Sequence, residues 1–456
     1  MESKDLITII LAAGVGSRTH SQTPKVLLDA AGTPIIDYII ETAESLGKHQ
    51  IIVVAAPIKQ LTEHLDNKEI TYVIQEKPLG TADALKTAIT LINDSDKRLL
   101  ILNGDVPLVE KSTLSDFIVK SSNSTISVIT TKVDNPKGYG RILRDNQGNF
   151  LGIIEEADID NDRNFLISEI NTGIYSGIFA QFKKRLSNVT NNNKQSEYYL
   201  PSLLKSGDST YLASDSLQFQ GVNTLVDLEK VSTYLWKKRA EKYMLGGVQI
   251  LNSDTFYSDK SVIIEANAII YPNVYLRGVS IIKKNVTIYP GVRIVDSIID
   301  EGCNIFDNTL IVGSSVGKNS NIGPCAHLRT GTILKGFNKI GNFVETKKVF
   351  IGEHTKAAHL TYLGDAKIGT TTNIGCGTIT CNYDGFQKNT TTIGDNTFVG
   401  SDVQFVAPVE IGSNVIVAAG STITKNVPDN ALAIARNKQI NKANWFSIWK
   451  TKSKRQ

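Results

Sequence analysis

The sequence predicts a two-part chain: an α/β domain with a mainly parallel sheet, followed by a triangular solenoid of stacked hexapeptides. Three observations carry this reading. The chain has 456 residues, too many for one ordinary core. Its first 226 residues alternate strand-like and helix-like segments. Its second half repeats an apolar residue every six positions.

In the first half, Leu6–Leu11 is an Ile-rich apolar run that ends at Ala12-Ala13-Gly14, as expected of a strand buried on both faces. Ile35–Leu46 has helical spacing, Ile51–Val54 is strand-like, and Ala82–Ile92 is helical. Leu99–Leu102 is a strand ending at Asn103-Gly104-Asp105. Ligands of such sheets bind at the carboxyl ends of strands, so both glycine-bearing strand ends are candidate sites. The alternation stops at 227–247. There Leu228, Val231 and Leu235 keep helical spacing beside a polar run, Asp227 can cap the start, and Gly246-Gly247 can end the helix. The expected division is 1–226, a linker helix over 227–247, and 248–456. A chain ending at Val226 is then expected to keep the first domain's fold.

In the second half Ile264, Ile270, Leu276, Ile282, Ile288 and Ile294 stand six apart without a slip. Val316 to Ile340 and Ile393 to Ile423 continue the period in new phases. Glycine follows many of these residues, as in Ile322-Gly323 and Ile340-Gly341. Neither a helix (period 3.6) nor an ordinary strand (period 2) fits, whereas a three-sided coil of about three hexapeptides does. Two stretches, His354–Gly364 and Cys381–Thr392, break the rhythm and are expected to emerge as loops.

Composition excludes several classes. Apolar residues make up 41% and charged residues 21%, a globular balance, and the net charge of +4 is no argument for nucleic acid. The basic stretch Lys450, Lys452, Lys454 and Arg455 reads as a solvated end. Cys303, Cys325, Cys376 and Cys381 lack zinc-ligand spacing and read as reduced thiols. Met1–Asp5 is polar, and the apolar run after it is too short for a membrane span or signal peptide, so a cytoplasmic protein is expected.

The first candidate site is the loop Leu11-Ala12-Ala13-Gly14-Val15-Gly16-Ser17-Arg18 with Pro24-Lys25. Small residues let the backbone approach phosphates, and Arg18 and Lys25 add charge. The loop lacks the Gly-Lys-Ser/Thr end of a P-loop, and Thr19 replaces the last glycine of GxGxxG. Together with Asn103-Gly104-Asp105 it resembles the sugar-nucleotide pyrophosphorylase signature. Gln75 with Gly80-Thr81-Ala82, then Gly138-Tyr139-Gly140-Arg141, Ile154-Glu155, Glu169-Ile170-Asn171-Thr172-Gly173 and Val222-Asn223, resemble the N-acetylglucosamine-1-phosphate uridylyltransferase branch. The resemblance implies a Rossmann-like nucleotidyltransferase domain. It implies that Asp105 and Asn223 hold Mg²⁺, that Leu11, Ala12, Ala13, Gly14, Gln75, Gly80 and Thr81 contact the nucleotide, and that Gly140, Glu155, Asn171 and Asn223 contact the sugar. Arg18 and Lys25 suit the neutralisation of charge when a sugar-1-phosphate oxygen attacks the α-phosphorus of UTP. Asn103 stands where better-known members carry an aromatic, and Thr19-His20 where Met-Tyr is usual; altered affinity is expected from both.

The second candidate site is Glu345-Thr346-Lys347-Lys348, His359 to Asp365, and Asn373 through Gly385. A histidine beside lysines and a tyrosine can take a proton from an amine at neutral pH. This run resembles the acetyltransferase half of the bifunctional uridylyltransferase/acetyltransferase, and with the first site the resemblance spans Leu11 to Arg436. It implies a left-handed parallel β-helix, His359 as base and Glu345 as its orienting partner. Arg329, Lys347, Tyr362, Asn373 and Lys388 would bind glucosamine-1-phosphate. Cys376, Asn382, Tyr383, Ser401, Ala419 and Arg436 would bind acetyl-CoA. Cys376 replaces the usual alanine there and reads as a small packed residue.

The resemblance implies acetyl transfer to glucosamine-1-phosphate, then uridylyl transfer to N-acetylglucosamine-1-phosphate, feeding peptidoglycan and other envelope polysaccharides. It also implies a homotrimer with shared acetyltransferase sites. Two other readings compete. One is a nucleotidyltransferase whose β-helix is only structural or regulatory; Glu345, His359, Asn382 and Arg436 speak against it, since scaffolding needs none of them. The other is a non-catalytic assembly subunit; intact Arg18, Lys25 and Asp105 speak against that.

Overall fold

The computed structural model describes residues 5–453 apart from Val15, Glu69 and Asn161. Val15 of the glycine loop, and Lys454 and Arg455 of the basic stretch, therefore lie outside the described residues. Contacts divide the chain into two compact units, Met1–Trp236 and Lys237–Gln456.

The first unit is a mixed sheet with helices on it. Strand Leu6–Ala12 is its centre, flanked in parallel by Gln50–Ala55 and Arg98–Asn103. Thr71–Ile74 extends one side in parallel. On the other side Glu169–Ile178 runs antiparallel between Arg98–Asn103 and Ile126–Lys132, and Ser209–Ala213 closes the order in parallel. Ile9, Ile10, Ile52, Val53, Val54 and Ile101 are fully buried, the expected state of strands covered on both faces. Helices Ile35–Glu44 and Thr81–Ala88 form where helical spacing was expected; the second ends in a tighter turn, Ile89–Leu91. The antiparallel strand starts at the edge where the parallel ones end, which brings Gly173 against Asn103.

The helix after this sheet runs over Leu225–Leu245. Asp227 lies inside its first turn rather than capping it. Thr224 accepts the backbone N–H of Asp227 (3.2 Å), and the Asp227 carboxylate accepts from the N–H groups of Thr224 and Asn223, a reciprocal capping box. The helix is more than a connector. Val231 is fully buried with Leu28, Ile35 and Val222 in a core of the first unit, while Ala240 and Tyr243 pack in the core of the second. By contacts the chain divides within this helix, between Trp236 and Lys237.

The second unit is a parallel β-helix of the left-handed hexapeptide type. Ile264 pairs with Ile282 and Ile282 with Ile299, steps of 18 and 17 residues, so three hexapeptides make a coil and some coils drop one residue. Those dropped residues are the phase changes seen in the sequence. The six-spaced aliphatics Ile270, Ile282, Ile294, Ile322 and Val399 are fully buried, as are Val286 and Val292 four places after Ile282 and Ile288. At Gly341 a Cβ would meet the backbone of Ala358 in the next coil, so close coil-to-coil approach demands glycine there. Corners also use asparagine at positive φ, Asn267, Asn285, Asn396 and Asn414 among them; it tolerates the left-handed region better than other chiral residues.

One expected loop is not a loop. His354–Gly364 runs into the continuous strand Lys356–Ile368, which pairs in register with Lys339–Ile351 at the usual 17-residue step. The hexapeptide rhythm fades there because polar residues replace the spaced aliphatics, while the coil geometry persists. The other interruption is a true loop: Ile368 pairs with Ile393, a step of 25, and the surplus forms a small excursion bridged at Tyr383 and Lys388.

Candidate functional sites

In the first unit the ends of the parallel strands open on a cavity of about 330 Å³. Leu11, Ala12, Ala13, Gly14 and Lys25 line one side; Gln75, Gly80 and Thr81 line the other. Gly80 has φ +118°, and a Cβ there would strike the backbone of Tyr198, so glycine is required for this loop to lie against the segment before Leu200. The Gln75 carboxamide donates to Asp83 (2.7 Å) and to the carbonyl of Gly80 (3.2 Å), which fixes its orientation at the cavity wall. A second cavity of about 220 Å³ adjoins the first, and Thr81, Asn103 and Asp105 line both. Gly140, Glu155, Asn171 and Asn223 line this second cavity.

Where the cavities meet, four side chains converge. The Lys25 ammonium donates to Asp105 at 2.5 Å and to the Asn223 carboxamide oxygen at 3.3 Å, and Arg18 donates to that same oxygen at 3.4 Å. Residues 198 and 205 positions apart are thus brought together by strand ends and by the turn before the long helix. The Asp105 carboxylate and the Asn223 carboxamide thus present two hard oxygens at one point, a donor set that suits a divalent cation. Burial pushes the Glu155 carboxyl above the usual carboxylate range, with Asp158 adding to the effect and Asn171 and Arg141 opposing it. Asn171 itself is buried and donates to the Tyr175 hydroxyl (2.8 Å). Sequence reasoning assigned no role to Glu197, in the first cavity, or to Tyr139, in the second. Tyr139 was visible in the Gly-Tyr-Gly-Arg run; Glu197 stands in no motif.

In the second unit the register places His359 level with Asn342 on the coil before, and one coil apart from Cys376, Ser401 and Ala419 on the coils after. His359, Cys376, Ser401 and Ala419 are all exposed, so they form one edge of the prism. Arg436 closes that edge by donating to the carbonyl of Ala419 (2.9 Å). Around the corner Tyr362 pairs with Glu345, and Glu345 with His327. Glu345 accepts from Arg329 at 2.7 Å, while the His359 ring has no hydrogen-bond partner among the described residues. Glu345 is therefore engaged by Arg329 rather than by His359 in this chain.

The loop delivers Lys388. Its ammonium lies within hydrogen-bonding range of Lys347 and, with Arg329 behind it, holds the Lys347 pKa below the ordinary lysine value. Three cationic side chains share this locus with one carboxylate, that of Glu345 on Arg329, and the excess of positive charge suits a phosphate. Asn382 is buried, and its carboxamide donates to Asp365 (2.5 Å), anchoring the base of the loop. Tyr383 is exposed, its hydroxyl donating to the Gly385 carbonyl (2.6 Å). Asn373 lies on the adjoining face, level with Lys356. All four cysteines are free. No helix is long and apolar enough to cross a membrane among the described residues.

Fold and cavities together define a nucleotidyltransferase fused to a hexapeptide-repeat transferase. Residues 7–236 match the nucleotidyl transferase family, 256–356 the GMPPB C-terminal domain, and 390–425 the bacterial transferase hexapeptide (six repeats). The chain is 40% identical to the bifunctional protein GlmU of Caldanaerobacter subterraneus subsp. tengcongensis, over 97% of this chain and 98% of that one. It is 44% identical to that of Thermosipho melanesiensis over 96% of each, and 39% identical to that of Pelobacter propionicus over 99% and 100%. The chain belongs to the bifunctional GlmU family. It is a bifunctional enzyme of UDP-N-acetylglucosamine synthesis, with uridylyltransferase and glucosamine-1-phosphate acetyltransferase activities. The nucleotidyltransferase half works with a divalent metal.

Proposed function

We propose that the two activities reside in the two sites described, and that the metal is Mg²⁺. In the first, Leu11, Ala12, Ala13, Gly14, Gln75, Gly80 and Thr81 hold UTP, and Gly140, Glu155, Asn171 and Asn223 hold N-acetylglucosamine-1-phosphate. The sugar phosphate oxygen attacks the α-phosphorus, the bond to the β-phosphate oxygen breaks, and pyrophosphate leaves. Lys25 and Arg18 neutralise the charge that builds there and keep attacker and leaving group in line. Asp105 and Asn223 would hold Mg²⁺, which would supply further neutralisation of phosphate charge. The meeting of two cavities at Asp105 carries this reading, because in-line transfer requires nucleotide and sugar phosphate to reach one point from two sides.

In the second site Arg329, Lys347 and Lys388 seat the substrate phosphate, with Tyr362 and Asn373 on the sugar. Acetyl-CoA lies along the edge Cys376, Ser401, Ala419 and Arg436, beside Asn382 and Tyr383, with its thioester at His359. His359 takes a proton from the attacking amine, the tetrahedral adduct collapses, and CoA leaves as the thiol. Glu345 positions Arg329, and reaches His359 only once substrate or a neighbouring subunit rearranges this corner.

The assembly we propose is a homotrimer. Ile263, Ile281, Ile298, Ile333 and Phe350 form one column up a face of the β-helix, interrupted only by Ser315, and four of the five are about half exposed. Such a stripe suits burial against symmetry mates. The enzyme works in the cytoplasm and feeds cell-envelope polysaccharide synthesis. The test has two readouts on one preparation: pyrophosphate from UTP with N-acetylglucosamine-1-phosphate, and free thiol from acetyl-CoA with glucosamine-1-phosphate. Both products are expected; the absence of thiol release would leave the β-helix a scaffold.

A further inference from the structure

Gln75 stands in the wall of the first cavity and is nearly buried, with 6% of the residue exposed. Its carboxamide nitrogen has two N–H groups and two acceptors, the Asp83 carboxylate at 2.7 Å and the Gly80 carbonyl at 3.2 Å. Carboxylate and backbone carbonyl accept and do not donate, so only the nitrogen end of the carboxamide can face them. The oxygen end accepts no hydrogen bond among the described residues. The free valence that Gln75 brings to the cavity is therefore an acceptor. Asp83 stands behind Gln75 and not in the cavity wall. It lies in the first turn of the helix Thr81–Ala88, where unpaired N–H groups favour a carboxylate.

We propose that Asp83 is a positioning residue that sets the nucleobase choice of the uridylyl-transfer site, acting through Gln75. The inference rests on the reading that this cavity holds UTP. Uracil carries an N–H at ring position 3, which a fixed acceptor pairs. Cytosine carries a lone pair there, which would face the Gln75 oxygen and leave both unpaired. A free glutamine could turn its carboxamide over and offer an N–H to cytosine instead. Turned over here, its oxygen would face the Asp83 carboxylate and the Gly80 carbonyl, acceptor against acceptor. Asp83 thus holds Gln75 in the one orientation that suits uracil. A site built on a directed hydrogen bond rejects the mismatched base more strongly than shape alone does.

The experiment compares kcat/KM for UTP, CTP and dUTP, each with N-acetylglucosamine-1-phosphate, in the full chain. The dUTP control keeps the uracil edge and lacks only the 2′-hydroxyl. The parent is expected to prefer UTP over CTP by about 100-fold or more. Asp83→Asn offers Gln75 a donor in place of an acceptor, which permits the turned-over carboxamide. It is expected to lower the UTP-over-CTP ratio by about tenfold or more and to hold the UTP-over-dUTP ratio within about twofold. Asp83→Ala is a second variant; it should lower the same ratio by a smaller factor, because the Gly80 carbonyl alone then holds the amide. Thiol release from acetyl-CoA reports that each variant is folded. A UTP-over-CTP ratio unchanged in both variants overturns the proposal. So does one that falls together with the UTP-over-dUTP ratio, because Asp83 would then only hold the loop in shape. Gln75→Leu separates the two levels of the argument. If it lowers the UTP-over-CTP ratio while the Asp83 variants do not, the role of Asp83 fails and the nucleotide site stands. If it leaves UTP turnover and the ratio at parent values, the nucleotide site itself is misplaced.

Discussion

At the scale of single residues the two sites use charge differently. Asp105 is a carboxylate that lines both cavities, so Asp105→Ala is expected to lower UTP turnover by about 10³-fold or more and to leave thiol release within twofold. Equal loss of both activities in folded protein would refute the separation of sites. Glu155 stores a cost. Its carboxyl is raised by burial, so ionising it opposes folding, and the stability present at low pH is lost as pH rises from the ordinary value of 4.5 through the raised one. Glu155→Gln should therefore melt higher than the parent at pH 7.5, by about 2 °C, and level with it near pH 4, while uridylyl transfer falls. A variant that melts lower at pH 7.5 would show that the carboxylate is a net stabiliser. In the other half, His359→Ala is expected to slow acetyl transfer by about 10²- to 10⁴-fold, in kcat more than in KM. Lys388→Ala should act mainly on the KM for glucosamine-1-phosphate, since Lys388 borders the phosphate seat and not the edge that holds His359.

At the scale of elements the long helix decides where the first unit can be cut. A chain ending at Val226 lacks Val231, which is fully buried, and the flanking Leu228 and Leu235. Burying a side chain such as valine contributes about 1.5–3 kcal/mol, so that fragment should melt about 5–10 °C below one ending at Trp236. The longer fragment is expected to be soluble and to release pyrophosphate from UTP, because Asn223 and its Thr224–Asp227 cap are intact. Calorimetry of the two fragments checks this; equal melting points would make the helix a mere connector. The strand Lys356–Ile368 teaches a related lesson. Its polar stretch broke the hexapeptide period without breaking the coil, because ladder hydrogen bonds to Lys339–Ile351 hold a backbone geometry that does not depend on every side chain.

At the scale of the whole molecule the exposed column from Ile263 to Phe350 predicts assembly. Light scattering at assay concentration is expected to give three times the chain mass of 49.8 kDa. The double substitution Ile298→Asp, Ile333→Asp places charges in that column and should yield smaller species that lose acetyl transfer but retain uridylyl transfer. An active monomer of the parent chain would overturn shared sites. If His359 and Arg436 of one site come from different subunits, mixing His359→Ala with Arg436→Ala chains restores part of the thiol release; if they come from one subunit, it does not.

The sequence by itself determined the elements whose signal is periodic or compositional. Buried strands read as unbroken Ile and Val runs, and the β-helix announced itself because one inward aliphatic per hexapeptide is a local rule repeated many times. Lys25, Asp105 and His359 stood out in the sequence by residue type within short motifs, and the structure brings Lys25 and Asp105 together. Only the tertiary structure decided what depends on contacts far apart in the chain. It joined Lys25 and Arg18 to Asn223, engaged Glu345 with Arg329, seated Lys388 beside Lys347, and drew Val231 into the first core. None of these partners leaves a periodic trace, since a side chain's partner is set by where the backbone returns and not by the residues next to it.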